Sequence, residues 1–146
     1  MKRVYLAGPF FDDDQIDRIE RMEKALEANP TVSEFFSPRT EQHDEFEFGS
    51  KEWAKAIYKG DKDHLDPAEV VIAVIDYEGE HVDPGTAWEI GYSEAAKKPV
   101  ILVKEKDGGI NLMMSVPAHA VITDVADVAT YDFDALPANE WEGKTF

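Results

Sequence analysis

The stretch that most restricts the fold runs from residue 70 to residue 103. Val70–Ile75 is apolar at every position and ends in Asp76, and Tyr77–Val82 is a polar turn. Asp83-Pro84 then opens a helical pattern that continues to Lys97, and Pro99 precedes a second apolar run, Val100–Val103. A strand apolar throughout is covered on both faces, as in a parallel sheet. The order is therefore strand, loop, helix, strand. Asp is a good N-cap, Pro suits the first helical position, and the residue before a proline is pushed towards the extended dihedrals a cap needs. With Asp83 at the cap, Glu89 stands between one and two turns into the helix. The positive end of the helix dipole there is expected to keep its carboxylate ionised. Thr86-Ala87-Trp88-Glu89 also fits T-x-x-E, a capping box in which Glu89 would only bind a backbone N–H. Both readings stand on this stretch alone.

The rest of the chain extends the same alternation. Arg3–Ala7 is a short strand closed by Gly8-Pro9, and Phe10-Phe11 lead into Asp12-Asp13-Asp14, an acidic helix start. Ile16, Ile19, Met22, Ala25 and Leu26 keep a helical period to Asn29-Pro30. Val32–Phe36 is a second strand, ended by Ser37-Pro38-Arg39, and residues 40–50 form a long polar loop of the kind that is more often functional than accidental. A helix from Lys51 carries Trp53, Ala54, Ile57, Tyr58, Asp61 and Leu65 and stops before Pro67. After the fourth strand, Gly108-Gly109 turns the chain into a short helix at Ile110–Met114, and Ala120–Ile122 is a fifth strand. The tail from Tyr131 to Phe146 shows no period. The expected fold is α/β: one domain over residues 1–146, with a five-stranded, doubly wound parallel sheet of flavodoxin-like order 2-1-3-4-5. Ligands of such sheets sit where strands 1 and 3 diverge, so Tyr5–Phe11 and Asp76–Glu89 are expected to share one crevice.

Charge narrows the choice of ligand. The 31 acidic and 15 basic residues give a formal charge of −16. Nucleic acids and anionic membranes would be repelled; a neutral small molecule would not. No apolar run is long enough to span a bilayer, and Met1-Lys2-Arg3 leads straight into a strand, so a cytoplasmic protein without a signal peptide is expected. Without cysteine there is no thiolate or disulfide, and His43, His64, His81 and His119 show no metal spacing. Neither a metal nor an organic cofactor is expected.

A carboxylate at a helix start, a phenol and further acids suit glycoside chemistry, in which one carboxylate attacks an anomeric carbon and another manages the leaving group's proton. Asp83 and Asp61 are candidates for the second role. Asp61 lies in the C-terminal part of its helix, where the dipole should raise its pKa; the alternative is an exposed helix acid. Tyr5, on a doubly covered strand, needs a partner for its hydroxyl, for which backbone is the ordinary choice. No G-x-G-x-x-G follows strand 1, and there is no Walker lysine or G-x-S-x-G elbow.

Several motifs, taken in order, match one family. They are Val4-Tyr5-Leu6-Ala7-Gly8-Pro9-Phe10-Phe11, Phe36-Ser37-Pro38-Arg39, Phe48-Gly49-Ser50-Lys51-Glu52-Trp53, Asp83-Pro84-Gly85-Thr86-Ala87-Trp88-Glu89-Ile90-Gly91, Ile110-Asn111-Leu112-Met113 and Glu142-Gly143. In these the chain resembles the nucleoside 2-deoxyribosyltransferases. The resemblance implies that Glu89 is a nucleophile forming a 2-deoxyribosyl ester and that Tyr5 orients it. Asp83 and Asp61 would bind the base and handle its proton. Gln42 matches a base-contacting glutamine, Phe11 falls among the substrate-binding positions, and Asn111 and Met113 match residues lent by a neighbouring subunit. The family's last residue is often tyrosine where this chain has Phe146, which the resemblance places by the active site. Pro84 replaces a small residue. The substrates implied are 2′-deoxyribonucleosides and free nucleobases, and the assembly a hexamer of three dimers with shared sites. The 36–39 and 48–50 motifs lean towards a broad base range.

Two other readings compete. A hydrolase of deoxynucleoside 5′-monophosphates would need a phosphate cradle after strand 1, where this chain has Pro9-Phe10-Phe11-Asp12-Asp13-Asp14. A phosphoacceptor signalling domain of the same fold would use Asp12-Asp13, Asp76 and Lys104, but its acids should follow strand 1 directly and Gly8–Phe11 intervene.

Overall fold

Successive side chains of a strand point to opposite faces, and here every strand uses both. The computed structural model describes residues 1–146, with strands β1 (Lys2–Ala7), β2 (Val32–Phe36), β3 (Val70–Val74), β4 (Val100–Val103) and β5 (Ala120–Ile122). All pairings are parallel, and the order across the sheet is β2-β1-β3-β4-β5. Val4, Leu6, Ile72, Val74, Ile101 and Val103 face one core layer; Tyr5, Ala7, Val71, Ala73, Val100 and Leu102 face the other. Two layers on one sheet explain why β3 reads as an unbroken apolar run. Each buried side chain of this size contributes roughly 1.5–3 kcal/mol.

Helix α1 (Asp13–Ala28) covers the first layer with Ile19, Met22, Ala25 and Leu26. Asp12 is its N-cap, accepting from the Gln15 N–H, which gives the acidic run after β1 the capping role its position suggests. Helices α2 (Lys51–Leu65) and α3 (Pro84–Ala95) cover the second layer through Leu65 and Ile90. Ser50 caps α2 and Asp83 caps α3. The period suggested that α3 would reach Lys97; it stops at Ala95, because Lys97 takes a left-handed conformation with φ 60°. A short α4 (Leu112–Ser115) is capped by Asn111.

Two 3₁₀ turns, Pro38–Thr40 and Val125–Ala129, have no sequence period to announce them. The first is tied to α1 by Glu23, which accepts from Ser37 Oγ at 2.7 Å and from Arg39 Nη2 at 2.6 Å. The tail is ordered by docking. Phe133 is fully buried, Asn139 pairs with both backbone groups of Val121, and Ile110 and Leu112 donate to the carbonyls of Lys144 and Phe146. No helix is long and apolar enough to cross a membrane.

Candidate active site

The Asp83 cap decides between the two sequence readings of Glu89. Asp83 Oδ2 accepts from the Thr86 N–H and the Thr86 hydroxyl, both at 2.9 Å, so Thr86 is inside the helix and not its cap. Glu89 is thereby freed from capping. Its Oε2 accepts a hydrogen bond from the hydroxyl of Tyr5, a residue with no solvent exposure at the middle of β1. The phenol has bonded the carboxylate of α3, not the backbone partner that is usual for a core tyrosine.

Above this pair lies an open cleft of about 400 Å³ between α2 and α3. Trp53, Ile57 and Tyr58 of α2 and Trp88 of α3 wall it, with Asp61 and Glu89 as its acids. Residues 53, 57 and 61 are spaced four apart, so they share one face of α2. That spacing was legible in the sequence, although only Asp61 was singled out for chemistry. The cleft is walled by helices; the Gly8–Phe11 loop expected to contribute does not line it.

Neither acid is in a salt bridge, and burial is the largest influence on both. It pushes Glu89 up to about 8; Asp61 and Asp83 add to the rise, and the Tyr5 bond opposes it. This corrects the expectation of a dipole-held carboxylate, because removal from water outweighs the helix end. Asp61 is raised to about 6, likewise by burial and not by the dipole; His43 and His64 pull it down and Glu41 pushes it up. Burial, followed by the charges of Glu89 and Asp61, drives the Tyr5 phenol far above its ordinary value. Tyr5 is thus a permanent donor. An acid near 6 can both give and take a proton around neutrality.

The remaining sequence candidates lie outside the cleft of this single chain. Gln42 is exposed and donates to the Arg39 carbonyl at 2.8 Å, while its own carbonyl accepts from the Trp53 indole at 3.1 Å. Phe11 is 68% exposed and meets Tyr77 edge-on. Asn111 caps α4, Met113 projects from it into solvent, and Phe146 is partly exposed. No three His, Asp or Glu side chains converge as a metal site.

A cleft walled by aromatic side chains, with two carboxyls of raised pKa and a phenol fixed on one of them, has the make-up that carboxylate chemistry on a small molecule requires. Comparison with known proteins makes the class specific. The chain belongs to the nucleoside 2-deoxyribosyltransferase family, whose model matches residues 4–133, and it is accordingly a pentosyltransferase enzyme. A nucleoside deoxyribosyltransferase of Lactobacillus johnsonii is 30% identical over 154 aligned positions, covering 97% of this chain and 100% of the relative. One from Limosilactobacillus fermentum is 34% identical over 109 positions, covering 69% of this chain and 64% of that relative's length. The solved 2-deoxyribosyltransferase of the psychrotolerant bacterium Bacillus psychrosaccharolyticus is 38% identical, with a TM-score of 0.84 over 95% of this chain and 98% of that one. A 2-desoxiribosyltransferase structure from Leishmania mexicana, 19% identical with a TM-score of 0.55, shares the fold.

Proposed function

We propose that this protein transfers the 2-deoxyribosyl group of deoxyribonucleosides from one nucleobase to another, with retention, through an ester on Glu89. The observation that carries the reading is the Tyr5–Glu89 hydrogen bond at the foot of an aromatic cleft that also holds Asp61. Ionised Glu89 attacks C1′ while Asp61 or Asp83 gives a proton to the departing base. Tyr5 holds the attacking carboxylate in place and favours its ionised form. Asp83 has Oδ2 committed to capping, which leaves Asp61, with its raised pKa, as the better proton donor. The incoming base then takes the sugar and returns its proton to Asp61, so no net proton is consumed. Water takes the sugar slowly as a side reaction. A substrate without a 2′-hydroxyl suits this route, because an electron-withdrawing hydroxyl would disfavour the oxocarbenium-like transition state. The flat walls supplied by Trp53, Tyr58 and Trp88 suit stacking on a base.

Gln42, Phe11, Asn111, Met113 and Phe146 complete the proposed site, Asn111 and Met113 from a neighbouring subunit. Within one chain none of them lines the cleft, although Gln42 adjoins it through Trp53, and this fits a homo-oligomer, a trimer of dimers, in which a neighbour lends Asn111 and Met113. Deoxyribonucleoside salvage in the cytoplasm is the setting that suits such an activity. The phosphoacceptor alternative loses support, because Asp76 is fully enclosed by Arg18, Lys104 and two backbone amides.

The test is chromatography of thymidine incubated with free adenine. Formation of deoxyadenosine is expected. Release of thymine and free sugar alone would make the protein a hydrolase.

A further inference from the structure

The sequence marks Gly108-Gly109 only as a turn, but the structure gives both positions a specific reason. A Cβ at residue 108 would stand 3.0 Å from Glu80 Cγ. One at residue 109 would stand 2.8 Å from the Lys144 carbonyl oxygen and 3.2 Å from Glu80 Oε2. Gly108 also holds φ 117°, which a side chain rarely permits. The space left free lets three segments meet on one carboxylate. Glu80 lies in the tight turn between β3 and α3, closed by the His81 N–H on the Glu78 carbonyl at 2.9 Å, three residues before Asp83. Its Oε2 accepts from the Gly109 N–H, and Lys144 Nζ stands 3.0 and 3.2 Å from its two oxygens. These donors, the amide first, hold the Glu80 carboxyl below its usual range.

The tail is laid along the chain that follows the two glycines. The Ile110 N–H donates to the Lys144 carbonyl at 2.9 Å and the Leu112 N–H to the Phe146 carbonyl at 2.8 Å, and Ile110 pairs in parallel with Thr145. The Trp141 indole is a second donor to the Lys144 carbonyl, at 3.0 Å. Asn111 is therefore bracketed by two amides bound to the tail. Leu112 and Met113 beside it are exposed, so the core does not fix this stretch. Beyond Trp141, the only side-chain bond from the tail to another segment is Lys144 to Glu80. We propose that Glu80 is a positioning residue that locks residues 110–113 and the tail, as one tongue, onto the loop that ends in Asp83. Each chain would then tie its own acid-bearing loop to the group it lends to its neighbour. The inference rests on the function proposed above, in which Asn111 and Met113 serve a neighbouring subunit's site. Glu80 does not line the cleft and acts only through the tongue, whose misplacement by about 1 Å is enough to slow a reaction.

Hydrogen–deuterium exchange tests the lock without any substrate. In the full-length protein, Glu80→Ala should speed exchange of the 110–114 and 141–146 amides by about tenfold or more and leave β3 unchanged. Gly109→Ala keeps Glu80 and Lys144 but drives a methyl group against the Lys144 carbonyl, and should do the same. Unchanged exchange in both variants overturns the proposal. The second arm is base exchange. In Glu80→Ala, kcat/KM should fall by about tenfold, and the defect should act in trans. Glu89→Ala, expected to be inactive alone, carries an intact tongue. In assemblies co-expressed from the two variants, that tongue can reach the intact Glu89 of the Glu80→Ala chain, so activity per Glu80→Ala chain should rise severalfold. Activity at or below that of Glu80→Ala alone would overturn the link to a neighbour. Wild-type kcat/KM despite loosened amides would show a tie that only stabilises the tail, and would overturn the positioning role. If Glu80→Ala fails to fold, Gly109→Ala carries both arms. A wild type that exchanges no base refutes the function proposed above, and amide exchange alone then decides whether the lock exists.

Discussion

Two groups of buried and half-buried acids lie on opposite sides of the same sheet, and they are built in contrary ways. On the α1 side Asp76 is enclosed, accepts from the amides of Glu105 and Lys106, and has Arg18 and Lys104 each at 3.7 Å. Glu105 beside it bonds Arg21 at 2.8 Å and the Val125 amide at 3.1 Å, and these partners hold it down at about 2. On the α2–α3 side neither Glu89 nor Asp61 is held in a salt bridge, and burial lifts them to about 8 and 6. Both groups consist of carboxylates among apolar strands. Where each acid has a cation and amide donors, it joins α1, β3, β4 and the 125–129 turn into one body. Where the cations are withheld, burial raises both acids: Asp61 keeps a proton it can give to a base, and Glu89 has to lose its own before it can attack.

The contrast predicts which losses matter to what. Glu89→Ala should reduce base exchange by about 10³-fold or more while the protein still unfolds cooperatively, read by chromatography and by thermal melting. If Glu89 were structural, its loss would instead lower the melting temperature and spare exchange. Arg18→Met is the counterpart on the other side. Arg18 is almost fully buried and faces Asp76, Glu105 and Asp14, so its loss should cost about 3 kcal/mol in urea unfolding. The kcat of the folded fraction should stay within a few-fold of the wild type. A large fall in kcat without loss of stability would erase the distinction between the two groups.

A smaller effect concerns pH. Glu89 has a folded-state pKa above its ordinary value, so the folded form holds more protons than the unfolded form between about 4.5 and about 8. Its contribution to stability is therefore complete below the lower value and is lost as pH rises through the upper one. Asp61 acts in the same sense between about 4 and about 6. Glu89→Gln keeps a partner for Tyr5 and does not titrate. Its melting temperature should match the wild type near pH 5 and exceed it by roughly a few degrees at pH 8. Parallel curves across that range would mean that the carboxyl is ionised in the folded protein after all.

The sequence carried the scaffold of this contrast better than its chemistry. The strand order and the Asp83 cap could be read because each rests on local pattern, an unbroken apolar run and an Asp-Pro start; the Tyr5–Glu89 pairing came only with the family resemblance, since the pattern of a covered strand pointed to a backbone partner for Tyr5. The protonation of Glu89 could not, since it depends on Trp53, Tyr58 and Trp88 excluding water from a helix pair far apart in sequence. The cation cluster around Asp76 was legible only as an imitation of a phosphoacceptor pocket. Its actual character appears when Arg18, from the middle of α1, arrives at 3.7 Å. Phe133 in an aperiodic tail and His43 at a positive φ are long-range and backbone facts respectively, and neither has a local signature.

The central claim is that Glu89 attacks the sugar, and trapping tests it most directly. A 2′-fluoro-arabinosyl nucleoside forms the ester but leaves it slowly, because the fluorine withdraws electrons from the anomeric centre. After incubation, proteolysis and mass spectrometry should find the fluorinated sugar on the peptide that contains Glu89, at one equivalent per chain, with base released in equal amount. The adduct should be absent from Glu89→Gln and should be discharged when free adenine is added. A sugar found on Asp61 or Asp83, or exchange proceeding in Glu89→Gln at the wild-type rate, would contradict the account.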